Sequence, residues 1–160
     1  PEQLYDWIAD LNNKCKTTLV SLEEFINKMT PYLEQGKDII YVGCSSALTG
    51  TMNVFNIAKE ELLEKYPDRR IIGYDSLTAS MCLGLLVTLA AKEQAKGLTL
   101  DELIDWLDDN KFKVNQIAGV ETLTYLKAAG RVKAGATLCG NIIGIKPLFI
   151  STTHGYNPVV

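Results

Sequence analysis

The sequence predicts an α/β fold in which a parallel sheet is flanked by helices, followed by the start of a second α/β domain. Three observations carry this. Short apolar runs at Ile39–Val42 and Arg70–Tyr74 alternate with longer stretches of helical periodicity, the order expected when a parallel sheet is covered on both faces. Each run passes directly into a loop rich in serine and threonine. From Val114 onward the elements shorten and the alternation changes. The predicted boundary lies near residue 116, with residues 1–116 as one α/β domain and residues 117–160 as the beginning of another.

Each element has its own signal. Leu4, Trp7, Ile8 and Leu11 recur at the spacing of a half-buried helix, and Pro1 suits its first turn. Lys14 to Val20 is a polar loop holding Thr17 and Thr18. Ser21 and Glu24 make a capping-box pair, so a helix follows with Phe25, Ile26 and Met29 inward. Pro31 lacks an amide hydrogen and crowds the preceding turn, so it is expected to kink or split that helix. Gly36 ends it. Ile39–Val42 reads as a buried strand, and the hydroxyl-rich loop Ser45–Thr51 follows. A helix from about Thr51 to Tyr66 carries Val54, Ile57, Ala58 and Leu62. Pro67-Asp68 turns the chain into a second strand, Arg70–Tyr74, ending at Asp75-Ser76. Ala79 to Ala95 is apolar on nearly every side and is predicted to be a central helix buried on most faces. Gly97 caps it. Thr99 and Glu102 box the start of another helix, with Leu103, Trp106 and Leu107 inward. Beyond it, Val114–Val120 reads as a strand and Glu121–Ala129 as a short helix stopped by Gly130. Thr137–Ile143 is a short apolar element. Pro147–Ser151 and Tyr156–Val160 form a predicted hairpin around His154-Gly155.

Composition narrows the function classes. Across 160 residues, 47% are apolar and 22% charged, the balance of an ordinary globular protein. The net charge of −3 supplies no basic surface for nucleic acid or an anionic membrane. No apolar run reaches the roughly 18 residues of an integral membrane span. Cys15, Cys44, Cys82 and Cys139 form no C-x-x-C pair, and His154 is the only histidine, so neither a zinc site nor a disulfide framework is expected. With no charged-then-apolar leader, the expected location is cytoplasmic. The strand-like run at the C-terminus reads as part of a longer protein.

Two loops carry the chemistry, because both leave the carboxyl ends of parallel strands, the edge where such sheets bind ligands. The first offers hydroxyls at Ser45, Ser46, Thr49 and Thr51, with Gly50 for backbone freedom, ahead of a helix N-terminus. This pattern reads equally as a holder of a carboxylate or phosphate and as a plain helix cap at Thr49 or Thr51. The second is Asp75-Ser76-Leu77-Thr78-Ala79-Ser80. Asp75 is expected to brace its loop in an Asx-type role in preference to orienting a ligand, since a second negative charge beside an anion repels it.

Catalytic motifs fail on spacing. A phosphate-binding P-loop needs a lysine before Thr51 and a tighter glycine pair than Gly43 and Gly50. A nucleophile elbow needs a glycine where Ala47 stands. A cysteine-phosphatase loop on Cys44 needs an arginine near Gly50 and Thr51. His154 is placed in a turn far along the chain. The residues hold an anion and present no evident group to transform one, so no catalytic or metal-binding residue is assigned.

The same residues resemble the DegV family of bacterial fatty-acid-binding proteins. The resemblance rests on Thr17-Thr18 with Ser21, on Ser45-Ser46-Ala47-Leu48-Thr49-Gly50-Thr51, and on Asp75-Ser76 followed by Ala79-Ser80-Met81 and Gly84. It continues through Thr122-Leu123-Tyr125-Leu126-Lys127, Gly130-Arg131-Val132 and Ile145-Lys146-Pro147, nearly the whole chain. It implies a long-chain fatty acid as ligand, no other cofactor, and a role as carrier presenting the acid to a partner fatty-acid kinase. Carried over by motif, Thr17 and Ser45 or Ser46 bond the carboxylate and Arg131 lies near the head group or the partner surface. Thr18, Thr49, Gly50, Asp75 and Ser76 support the loops. Departures are Thr18-Leu19-Val20 in place of Ser-Gln-Pro and Ala129 in place of a glycine. The family's opening Asp-Ser strand, most of its C-terminal domain and a head-group histidine have no counterpart here, and His154 does not match the last.

A lipid ligand agrees with simple energetics. Each buried methylene is worth roughly 0.8 kcal/mol, so a long tail supplies on the order of 10 kcal/mol before association costs. Hydrogen bonds to the charged head add about 1.5–3 kcal/mol each. Ala79, Met81, Leu83, Leu85 and Leu86 are candidates to line a tail tunnel, against the commoner role of plain core. The competing readings are a small-molecule phosphotransferase of related architecture and a ligand-sensing regulator.

Overall fold

The computed structural model describes residues 2–10, 12–13, 17–121, 124–130 and 148–150. In chain order the elements are α1 (Glu2–Ala9), α2 (Leu22–Glu34), β1 (Ile39–Gly43), α3 (Thr51–Lys65), β2 (Ile71–Asp75), α4 (Ser80–Ala95), α5 (Leu100–Asn110), β3 (Ile117–Gly119), α6 (Thr124–Ala128) and β4 (Leu148–Ile150).

β1 and β2 pair in parallel, with Ile39 opposite Ile71 and Gly43 opposite Asp75. Alternation along the strands sends their side chains to two cores. On one face Ile71, Ile39 and Tyr41 meet Phe25, Met29 and Leu33 of α2 and Met52, Phe55, Ala58 and Leu62 of α3. On the other, Tyr74, Ile40 and Val42 meet Leu86 and Ala90 of α4 and Leu103 and Leu107 of α5. The predicted parallel sheet flanked by helices is what forms.

Glycine makes the first core possible. Tyr41 and Phe55 stack at 4.7 Å, and Phe25 meets both rings edge-on at 5.1 and 5.5 Å. A Cβ on Gly73 would stand 2.9 Å from the Phe55 ring and 3.0 Å from the Met52 sulfur. A Cβ on Gly43 would stand 2.8 Å from both Met52 Cε and the Tyr41 ring. The aromatic cluster occupies the space that two side chains would need.

Local signals set the helix ends. Both capping boxes form, Ser21 with Glu24 and Thr99 with Glu102. α2 closes in a Schellman motif, where Gly36 takes φ 75° and the amides of Gly36 and Lys37 donate to the carbonyls of Leu33 and Tyr32. Pro31 does not split this helix, one of the two outcomes expected of it. A proline costs a helix interior about 3 kcal/mol. Burying Phe25, Met29 and Leu33 along one stripe returns roughly 1.5–3 kcal/mol each, which outweighs that cost.

One expectation fails at α4. Only Leu86 and Ala90 are buried there, while Met81 is 85% and Leu85 50% exposed. One stripe packs on the sheet and α5, and the apolar remainder faces away from both. α5 is tied to the sheet by Tyr74, whose hydroxyl donates to Asp108 at 2.9 Å, and by the Arg70–Asp101 fork.

Past residue 116, β3 and β4 form a separate antiparallel pair, with Ile117 opposite Ile150. The strand expected over 114–120 and the helix over 121–129 are both shorter than predicted. Thr137–Ile143 and the second hairpin strand lie outside the described residues.

Gly73→Ala should push a methyl into the Phe55 ring. Overpacking of this kind costs about 1–3 kcal/mol, against roughly 0.5–1 kcal/mol that alanine gains over glycine in backbone entropy. A net loss of stability is expected in urea unfolding of the full-length protein, and an unchanged midpoint would show that the cluster yields.

Candidate functional site

In-register pairing brings the ends of β1 and β2 together, so the loops 44–50 and 76–79 leave the sheet side by side. The two are bonded to each other. The Ser45 amide donates to the Thr78 carbonyl at 2.9 Å, and the Ser76 amide donates to the Gly43 carbonyl at 3.2 Å. The Ser46 amide donates to the Asp75 carboxylate, at 3.2 Å to Oδ2 and 3.3 Å to Oδ1. Asp75 Oδ1 also accepts the Leu77 amide at 3.0 Å, an Asx turn.

Hydroxyls line this junction at different depths. Ser45 is fully buried, and its Oγ accepts the Ala47 amide at 3.3 Å. Ser46 is exposed. Ser76 is buried, with its Oγ donating to the Thr78 carbonyl and accepting the Thr78 amide, both at 3.3 Å. Thr49 Oγ1 accepts the Thr51 amide at 3.3 Å and lies 2.9 Å from Thr51 Oγ1. The α3 N-cap is Gly50, which has no side chain to cap with, so the threonine before it satisfies the first helical amide instead.

Thr17 and Thr18 lie in the exposed loop before α2. The loop reaches the same end of the sheet through Leu19, whose Cδ1 lies 3.5 Å from where a Cβ on Gly50 would be. Arg131 lies outside the described residues, as do Cys15, Cys139 and His154.

Thr78 is the residue the sequence reading passed over. It is buried, its carbonyl holds Ser45, and its hydroxyl donates to Gln116 Oε1 at 2.9 Å. Cys82 Sγ bonds the Asn115 carbonyl nearby at 3.4 Å. Thr78 ties the second loop, and Cys82 the first turn of α4, to the segment leading into β3. The only signal for Thr78 was its place two residues after Ser76. Leu77 and Ser80 adopt φ values of 55° and 52°, which non-glycine residues rarely do. Neither residue type announces this.

Electrostatics here favour neutral donors. Burial pushes the Cys44 thiol up, the Ser45 backbone opposes this, and the charge of Asp75 adds to the rise. Cys44 is therefore a poor nucleophile, since the thiolate is the reactive form. Among the described residues, no group of three histidine, cysteine or acidic side chains is arranged to hold a metal ion.

Comparison with known proteins follows from this geometry. A family model described as an uncharacterised protein of the DegV family matches residues 1–159. A DegV domain-containing protein of Clostridium perfringens is 40% identical over 139 residues, covering 87% of this chain and 48% of that protein. A crystal structure of a stearic-acid-binding protein from Eubacterium ventriosum superposes with a TM-score of 0.85 at 26% identity, over 99% of this chain and 54% of that one. The fatty acid kinase B3 protein of Streptococcus pneumoniae, loaded with linoleic acid, has the same fold at a TM-score of 0.75 and 22% identity, over 89% and 50%. The chain thus spans about half the length of these relatives.

Asp75→Ala should free the Ser46 and Leu77 amides, and amide hydrogen exchange in the full-length protein should accelerate at those two positions. A group left unpaired in this way costs about 1–3 kcal/mol. Unchanged protection at both would mean that the carboxylate does not hold the loop.

Proposed function

The chain belongs to the DegV family, and from that premise we propose that it binds a long-chain fatty acid, bonding the carboxylate through hydroxyls and burying the acyl tail. The observation that carries this is the junction of two hydroxyl loops at one sheet edge, followed directly by a helix with an exposed apolar side. Thr17, Ser45 and Ser46 hold the head, with Arg131 beside it. Ser46 is the more accessible of the two serines, and Ser45 shapes the loop from beneath. Thr18, Thr49, Gly50, Asp75 and Ser76 keep the loops in place. The stearic-acid ligand of the Eubacterium ventriosum protein supports the choice of ligand class.

Met81 and Leu85 stand one turn apart on the exposed side of α4, which suits them to line the tail. Leu86 belongs to the core beneath and is withdrawn from that role. Residues 117–160 begin a second domain that completes the tail site. The protein acts as a carrier and leaves chemistry to a partner kinase that phosphorylates the carboxylate. The site's equipment agrees with this, because it offers hydroxyl donors for an anion.

Mass spectrometry of a solvent extract tests the reading. The purified full-length protein should release a fatty acid, and the Ser45→Ala, Ser46→Ala double variant should lose it while its circular dichroism and cooperative melting persist. A full-length protein that releases no fatty acid and takes none up on addition would overturn the proposal. Unchanged lipid in the double variant would overturn the head-group assignment.

A further inference from the structure

Asp75 takes up backbone donors that an anion-holding loop ordinarily keeps for its ligand. Two amides at the junction, those of Ser46 and Leu77, point at its carboxylate. Bond lengths then place the Ser46 hydroxyl within about 7 Å of a fixed negative charge. Among the described residues, no lysine or arginine forms an ion pair with Asp75. Its field also reaches its neighbours: after burial and the Asp108 contact, it contributes to the raised pKa of Tyr74, and after burial to that of Cys44.

We propose that Asp75 is a specificity-determining residue whose charge makes the hydroxyl site prefer a lipid head with one negative charge over a head with two. The proposal rests on reading the loops as the head-group site. A carboxylate carries a single charge, whereas a phosphate monoester carries about −1.5 to −2 near neutral pH. The additional charge sits one hydrogen bond beyond the hydroxyl, up to about 10 Å from Asp75, and in surroundings between water and protein surface this weakens binding by about threefold. The ligand held most tightly is thus the free acid, and a phosphorylated head is held less well. Hydroxyls suit this task. They donate to an anion without adding positive charge of their own, so that Asp75 opposes the charge that Arg131 brings to the head.

Asp75→Asn separates charge from scaffolding. Oδ1 lies within reach of both the Ser46 and Leu77 amides, so an asparagine oxygen in its place keeps the Leu77 bond and the longer of the two Ser46 contacts, while its NH2 group replaces Oδ2 beside the Ser46 amide. The delipidated full-length protein is titrated at pH 8 with dodecanoate and with monododecyl phosphate, both below their micellar concentrations. The wild type should prefer dodecanoate, and Asp75→Asn should narrow that preference about threefold, mainly by strengthening the phosphate. An unchanged ratio, or equal weakening of both ligands, would reduce Asp75 to a loop brace and overturn the proposal. A wild type that binds neither ligand fails the head-group reading itself. If the variant does not fold, the wild type is titrated in rising sodium chloride. Screening should shift the ratio toward the phosphate, and a ratio indifferent to salt overturns the proposal.

Discussion

Parallel strands paired in register deliver the residues that follow them to one edge. Gly43 stands opposite Asp75, so the two hydroxyl loops start level and a few ångströms apart. Everything proposed for the site depends on that register. A slip of one residue would exchange the faces of every side chain on the strand. Tyr41 would then leave the aromatic cluster, and the loops would no longer meet. The rings of Phe25, Tyr41 and Phe55, seated over Gly73, hold the register by a fit that admits no extra carbon.

Within the junction the backbone is already spoken for. The Ser45 amide goes to Thr78, and those of Ser46 and Leu77 go to Asp75. The left-handed backbone of Leu77 costs on the order of 1–3 kcal/mol, and hydrogen bonds to a carboxylate, at about 1.5–3 kcal/mol each, offset it. A loop tied in this way keeps its hydroxyls in position before any ligand arrives, which lowers the ordering cost of binding. The same ties reach the segment before β3 through Thr78 and Gln116, so the hydroxyl loops and the entry to the second sheet share one bonded network.

The apolar side of α4 gives this network a direction. Met81 and Leu85 lie just beyond the strained Ser80, on the helix that begins where the second loop ends. A polar head at the loops and an apolar tail along such a helix divide the work of binding as a fatty acid requires. In the proposed complex the tail contributes most of the affinity through buried area, and the head contributes selectivity through donors and charge.

Features set within a few residues were legible from sequence. The capping boxes at Ser21 and Thr99, the glycine stop at Gly36 and the positions of both strands rest on local hydrogen bonding and on periodicity, which neighbouring residues decide among themselves. The hydroxyl loops were visible for the same reason, and so was their place at strand ends. Three things were not. Pro31 sits inside an unbroken α2 because distant partners reward the whole stripe of Phe25, Met29 and Leu33. The buried side of α4 is narrow because the sheet and α5 accept only Leu86 and Ala90. The depth of Ser45 and the importance of Thr78 follow from bonds between segments some thirty residues apart in sequence. Residue type and spacing state what a side chain can do, but burial and partnership are set by which surfaces meet, and only packing of the assembled layers decides that.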